Sequence, residues 1–597
     1  MRMRIKQTTK IWLSGLLAST LILTTAGCSL GDKPSTEVSG VMKSGVYKAE
    51  AEGFHGQIKI ELTVDSDKIS DIKVLKHGET PGVGDVAIKQ IPEKVIATQS
   101  LNVDSISGAT FSSKGIMGAI TAALTEAGAN VEELKTKQAQ QAAKEAITKE
   151  ADVVVIGAGG AGLAAAVSAK QQGASVIIID KMSRIGGNTA LAGGAYNAVD
   201  PERQKKQGIE DSLDKHYTQT LKGGDNKANP ELVRHLVDNA LGGVQWLEQL
   251  GLEFQDEVFT VAGALWPRSH RPLNEHGGFV TALQESIEKN NIEILLQTEA
   301  KELLTDQGAV VGLKGTSDGA EITIHAKKGV ILATGGYAAS KEMRSKYHKG
   351  LPTDLPTTNH PGATGDGLIM GEAAGANLVG MDFIQSLPLG DPETGSLTGW
   401  LAKGVESYMF VNKSGERFIR EDARRDEMTA ALMAQQDSMM YVIADSNTFK
   451  PGTKNNFDET IEKLVESGKV IAADTLEELA KKLNMDPAVF TATIAAYNES
   501  VEKGKDPKWG REILEKKMDK APFFASARKP TAHHTMGGLE INTKAEVLTK
   551  DQEVIPGLYA AGEVTGGIHG SNRLGGNAIA DIIVFGKQAG ASAAARQ

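Results

Sequence analysis

Apolar and polar residues alternate from Gly45 to Val74, as in Ile58-Lys59-Ile60-Glu61-Leu62-Thr63-Val64. A period of two predicts half-buried strands. Residues 114–124 then read as a helix, and residues 131–150, rich in Glu, Lys, Gln and Ala, as a helical linker. At Asp152 the texture changes. Residues 153–156 are an unbroken apolar run followed by a glycine loop, residues 163–172 read as a helix, and residues 175–179 as a second strand ending at Asp180. This order is the start of a βαβ unit. A later apolar strand, 330–333, closes on Thr334-Gly335-Gly336. Residues 381–532 are more charged and helical in texture, as at 476–483, and glycine density rises again from His533. The pattern predicts an α/β chain: a small α+β domain at 45–130, a linker at 131–150, and a Rossmann-like domain in two parts, 151–380 and 533–597. An α+β clamp at 381–532 interrupts that second domain.

The first residues read differently. Arg2, Arg4, Lys6 and Lys10 precede an apolar run at 11–23, and Thr25-Ala26-Gly27-Cys28 follows. A basic start, a short apolar stretch and small residues before a cleavage point form a secretory signal, and the run is short for a membrane-spanning helix. Cys28 stands where a lipoprotein signal peptidase would leave a lipidated cysteine, although Thr25 occupies a place where Leu is commoner. The expectation is a signal peptide at 1–27, a polar tether at 28–44, and anchoring to the cell membrane on its extracytoplasmic side.

Composition narrows the chemistry. At 597 residues the chain exceeds what one core holds. A net charge of −10 argues against a nucleic-acid partner. Cys28 is the only cysteine, which excludes an intrachain disulfide and a cysteine-held iron–sulfur cluster. The sequence has no Cys-x-x-Cys-His for a c-type haem, and no metal site is expected.

Two segments suit flavin phosphates. In Asp104-Ser105-Ile106-Ser107-Gly108-Ala109-Thr110 the small residues admit a phosphate close to the backbone, and Thr110 supplies a hydroxyl. The segment resembles the flavin-transferase acceptor motif, and residues 45–125 resemble the FMN-binding domains of sodium-pumping quinone reductases and bacterial flavin reductases. The resemblance implies FMN held covalently on Thr110 by a flavin transferase. The second segment has Gly157, Gly159 and Gly162 in dinucleotide spacing between strand and helix. The first allows the turn, the second admits the pyrophosphate, and the third lets helix pack on strand. Asp180 suits the ribose hydroxyls. With Gly186-Gly187-Asn188-Thr189, Gly335, Asp366 and Ala561-Gly562-Glu563, the chain resembles the FAD family of succinate dehydrogenases, fumarate reductases and aspartate oxidases. That implies non-covalent FAD, with Gly187, Asn188, Thr189, Gly335, Asp366, Glu563, Asn577, Ala578 and Ile579 among its contacts.

Three further segments carry a closer resemblance: 532–538 around His533-His534-Thr535-Met536-Gly537-Gly538, 566–577 around Ser571-Asn572-Arg573-Leu574, and 417–426, which ends in Arg424-Arg425-Asp426. They resemble soluble flavocytochrome c fumarate reductases and urocanate reductases over nearly all of residues 150–597. The resemblance implies reduction of the C=C bond of an unsaturated carboxylate. Arg573 suits the carboxylate because its fork binds bidentately, His534 adds a hydrogen bond, and Arg425 matches the family's proton-donating arginine. A surface ion pair with Asp426 or Glu421 is the alternative role for Arg425. His533 reads as structural, and Glu563 as a contact of the FAD ribityl chain.

The departures bear on substrate. Leu387 stands where fumarate reductases of this family have a histidine, and Trp400, Leu401 and Gly404 stand for their Thr, Glu and Arg. Lys403 lies one residue out of register. A second carboxylate would lose its partners, and an unpaired buried charge is costly. Leu387, Leu389, Trp400 and Tyr196 therefore predict an apolar or aromatic distal pocket. The implied function is an exported reductase of urocanate-type or other aryl and imidazolyl acrylates, with electrons passing from a membrane or extracellular donor to FMN, FAD and substrate. Fumarate reduction is the alternative. A flavin dehydrogenase or oxidase running in reverse is less favoured.

Overall fold

The computed structural model describes residues 41–597 apart from 54–55, 80–83, 104, 107–108, 138–143, 274–276, 402–403, 456 and 458, and apart from the side chains of Thr110 and Phe111. Cys28, Asp104, Ser107, Gly108, Lys403 and the Thr110 hydroxyl thus lie outside the described residues.

Strands Gly45–Glu52, Gln57–Asp65 and Lys68–Lys76 form an antiparallel sheet. Successive side chains leave a strand on opposite faces, so Ile58, Ile60, Leu62 and Val64 share one face and are buried. Helices Gly84–Thr98 and Thr110–Glu126 cover that face with Ile88, Ile91, Val95, Ile116 and Ile120. The second helix begins at Thr110, four residues before the apolar periodicity suggests.

Residues 131–150 are not one helical linker. The helix Val131–Thr136 is short, and a strand runs over Ile147–Ile156. Its first residues pair in parallel with Ile322 to His325. The charged composition concealed it: Lys149 pairs with Glu293 at 2.7 Å and Glu150 with Lys327 at 2.7 Å, so the strand's first residues form its solvated end.

That strand lies at the centre of the main sheet. Val176–Ile179 and then Glu293–Leu295 follow it on one side, Ala320–Leu332 and Val554–Ala560 on the other, all parallel. The chain reverses its winding there, and such a switch point leaves a crevice at the carboxyl ends of the strands. The helices Gly160–Gln171 and Asn577–Ala595 pack together against it. A Cβ on Gly590 would lie 2.1 Å from the Ala165 carbonyl oxygen, so the glycine sets how closely the two helices approach.

A second, antiparallel sheet joins Ile384–Gly390, Phe523–Thr535, Met440–Asp445 and Met409–Asn412, with Ile471–Ala473 also against Phe523–Thr535. Residues 381–532 thus combine this sheet with helices, as an α+β clamp does. The strand Phe523–Thr535 runs unbroken through residue 532, so one element carries both the clamp sheet and the two histidines of the crevice. No helix among the described residues is long and apolar enough to cross a membrane.

Candidate active site

The glycine loop forms as its spacing requires. Gly157 turns at φ +109°, and a Cβ there would come within 2.3 Å of the Ala333 carbonyl oxygen. Gly162 meets the Gly157 oxygen just as closely and serves packing. A cavity of about 910 Å³ opens over the loop, lined by Gly157, Gly159, Asp180, Gly187, Asn188, Thr189, Gly335, Asp366 and Glu563. Asp180 accepts from the Ala158 amide at 2.7 Å and the Met182 amide at 2.8 Å, so it shapes the loop as well as facing the cavity. Burial raises its pKa against those two bonds. Asp366 is held by Lys181 at 2.6 Å. A cradle that side chains would fill, a helix N-terminus and a carboxylate at the second strand's end fit the dinucleotide part of FAD.

A second cavity, about 1280 Å³, adjoins the first at Asn188, Thr189 and Glu563. Ala578 and Ile579 line it. Asn577 does not: its side chain is buried against Asn197, Thr220 and His216. Glu563 accepts from the Thr535 amide at 2.9 Å and from Asn188 at 3.2 Å.

Arg425, Arg573, His533 and His534 all line this second cavity. Arg425 begins the helix Arg425–Met433, where the helix dipole opposes a positive charge. It pairs with neither Asp426 nor Glu421: Arg424 takes Asp426 at 2.8 Å, and Arg417 and Arg511 take Glu421. Arg425 instead donates to the Ala262 carbonyl at 2.7 and 3.1 Å and to Gln385 at 3.1 Å. Burial, and then the neighbouring Arg573, push its pKa down from 12.5 to about 9. Arg573 donates to the Leu574 carbonyl at 3.1 Å and to Gln385 at 3.2 Å, while its buried Nε has no partner. Burial holds it near 10. An exposed latch fixes the segment before Arg425: Arg424 donates to Asp225 at 2.7 Å, and Asp225 accepts from Ser571 at 2.5 Å.

His534 lies with Nδ1 3.5 Å from Glu563 and its ring edge-on to His569. His533, read as structural from the sequence, lines the same cavity, with Nδ1 against the Thr358 hydroxyl at 2.9 Å. Neighbours on a regular strand point to opposite faces, but here the register slips. Gln385 opposes His534 while Ser386 opposes Ala532, which leaves His533 in a bulge. A bulge re-aims a side chain, and neither the apolar pattern nor the motif disclosed it. Burial and the two arginines hold both imidazoles well below 6.5, hence neutral.

One apolar cluster supplies a wall of the cavity: Leu387, Leu389, Leu397, Trp400 and Phe457. Gly404 reaches it and Leu401, wholly buried, does not. Tyr196 is not part of it. It is a core residue, 0% exposed, stacked near Phe279 and donating to the Ala240 carbonyl at 2.8 Å. An aromatic residue near a glycine-rich loop gave no means of telling core from pocket. Tyr408, missed in the sequence, does line the cavity; its buried hydroxyl has no partner.

The fold and the two joined cavities define a dinucleotide-binding flavoprotein with a small domain ahead of it. Residues 152–579 match the FAD binding domain family and residues 53–125 the FMN-binding domain family. A urocanate reductase of Eggerthella lenta is 36% identical over 96% of this chain and 96% of its own. An NADH:acrylate oxidoreductase of Vibrio harveyi is 39% identical over 92% of this chain, which spans only 61% of that protein. The solved open conformation of a flavocytochrome c3 fumarate reductase is 35% identical, with a TM-score of 0.61 over 75% of this chain and 78% of that one. The chain belongs to the flavocytochrome c-type fumarate reductase family and carries both an FAD-binding and an FMN-binding domain.

Proposed function

We propose that this chain is a flavin-dependent reductase of the C=C bond of an α,β-unsaturated carboxylate with one carboxylate and an apolar or aromatic far end, of the urocanate or cinnamate type. The observation that carries this reading is a pair of buried arginines without a carboxylate partner, facing a cavity one wall of which is Leu387, Leu389, Leu397, Trp400 and Phe457. Bound FAD, when reduced, supplies a hydride to one alkene carbon. Arg573, whose Nε is unpaired, holds the substrate carboxylate, and the neutral imidazoles of His533 and His534 add hydrogen bonds without adding charge. Arg425 then gives a proton to the carbon that becomes electron-rich: an N–H bond breaks, a C–H bond forms, and a neutral guanidine remains to be reprotonated. An ordinary arginine does not give up a proton. Burial, Arg573 and the helix N-terminus together make this one more acidic.

Electrons entering through FMN on Thr110, a flavin transferase for maturation, a membrane or extracellular donor, and lipid anchoring at Cys28 belong to the same proposal and rest on the sequence motifs. The test of function uses FAD-loaded protein with reduced viologen and, separately, cinnamate, urocanate, acrylate, itaconate and fumarate. The reading requires turnover of cinnamate or urocanate; no turnover of any of the five overturns it.

A further inference from the structure

The two arginines stand side by side with like charges, and what joins them is neutral. Arg425 Nη1 and Arg573 Nη2 donate to one oxygen, Oε1 of Gln385, at 3.1 and 3.2 Å. The amide nitrogen of Gln385 donates to Asn572 Oδ1 at 2.8 Å and to the Arg573 carbonyl at 2.7 Å. Those two acceptors fix the direction of the amide, so its oxygen must face the guanidinium groups. Gln385 is 2% exposed and sits opposite His534 in the sheet.

We propose that Gln385 is a positioning residue that gathers both guanidinium groups on a neutral acceptor, and that this neutrality keeps Arg425 a usable proton donor. The inference rests on the enoate-reductase reading of the site. A carboxylate at this position would still accept from both guanidinium groups while losing the donation to Asn572 and the Arg573 carbonyl, and its charge would stabilise the charged form of Arg425 and weaken it as an acid. An apolar side chain would leave two guanidinium groups in mutual repulsion without a shared acceptor. The groups facing Arg425 are Arg573 from the loop before the last helix, Tyr408 ahead of Met409–Asn412, His533 and His534 from Phe523–Thr535, and the Ala262 carbonyl. Among the described residues Arg573 is the only cation facing Arg425, and none of the facing groups is a carboxylate.

The test compares wild type with Gln385→Glu and Gln385→Met, each carrying FAD at a normal flavin-to-protein ratio. Two readouts are taken against pH: kcat for cinnamate with reduced viologen, and the affinity for propionate read from the perturbation of flavin absorbance. Only the protonated arginines serve, so kcat falls as pH rises through an alkaline limb near the Arg425 value of about 9, and propionate affinity falls through one near the Arg573 value of about 10, both guanidinium groups sharing the Gln385 oxygen. Gln385→Glu moves each limb up by about 1–3 pH units and lowers the plateau rate, as an opposite charge at this range does. Gln385→Met moves it down. Unmoved limbs in both variants and both readouts overturn the proposal, whatever happens to the rate, because loss of packing alone lowers activity without moving a titration. If wild type reduces no enoate, the functional reading fails and the propionate titration still decides the role of Gln385.

Discussion

Fumarate should be a far poorer substrate than an enoate with one carboxylate. On the proposed reading Arg573 takes the first carboxylate and Arg425 serves the proton. Among the described residues no third cation lines the cavity. A second carboxylate would lie against Leu387, Leu389, Leu397, Trp400 and Phe457, with the Tyr408 hydroxyl as the polar atom within that wall. Taking an ion out of water costs several kcal/mol even in a relaxed protein. A hydroxyl hydrogen bond to a charge returns about 1.5–3 kcal/mol. The remainder, about 2–4 kcal/mol, corresponds to roughly 30- to 1000-fold in kcat/KM. The assay is kcat/KM with reduced viologen for cinnamate, acrylate and fumarate on the same preparation. Adding the missing partners should reverse the preference: Leu387→His with Gly404→Arg raises fumarate turnover and lowers cinnamate turnover. Equal or better kcat/KM for fumarate in the wild type would refute the reasoning about the wall.

Other expectations are open to direct measurement. Activity should show an alkaline limb near pH 9 from Arg425, with the protonated form active below it, and no limb near 6.5 because both cavity imidazoles are already neutral there; a bell centred on histidine titration would contradict this. Tyr196→Phe, which removes the hydrogen bond to the Ala240 carbonyl within helix Pro230–Gln249, should cost about 0.5–1.5 kcal/mol in denaturant unfolding while KM is unchanged. A raised KM at unchanged stability would return Tyr196 to the substrate wall. Thr110→Ala should remove protein-bound FMN, seen as a mass loss, yet spare viologen-driven turnover at FAD; unchanged mass excludes Thr110 as the acceptor. Gly590→Val should press on the Ala165 carbonyl, loosen the helix pair and reduce FAD retained on a sizing column.

What the sequence disclosed and what it hid divide along physical lines. Gly157, Gly159 and Gly162 were legible because a strand, a tight turn and a helix leave a local signature, and Asp180 because it ends the next strand. Arg425 and Arg573 were legible only through long motifs, since spacing alone does not bring residues this far apart in the chain to one amide oxygen. Ile147–Ile156 was hidden in part because its first residues alternate at a charged edge. The place of His533 on the cavity is hidden because a bulge breaks strict alternation, and that of Tyr196 in the core because burial depends on packing from helix Pro230–Gln249 and from Phe279, remote in sequence. Gln385 and Tyr408 carried no signal of their own: a glutamine on a strand and a tyrosine just ahead of one are ordinary until the partners are seen.

Arg425 is proposed to protonate an enoate held by Arg573 beside FAD. The most direct measurement is a single turnover: wild type and Arg425→Ala, both FAD-loaded and chemically reduced, are mixed with cinnamate or urocanate, and flavin reoxidation is followed with product. Wild type should show prompt reoxidation and a stoichiometric saturated acid, and Arg425→Ala at least about 100-fold slower reoxidation with FAD still bound, the range general acid catalysis supplies. Reoxidation of the variant at the wild-type rate, with the same product, would contradict it.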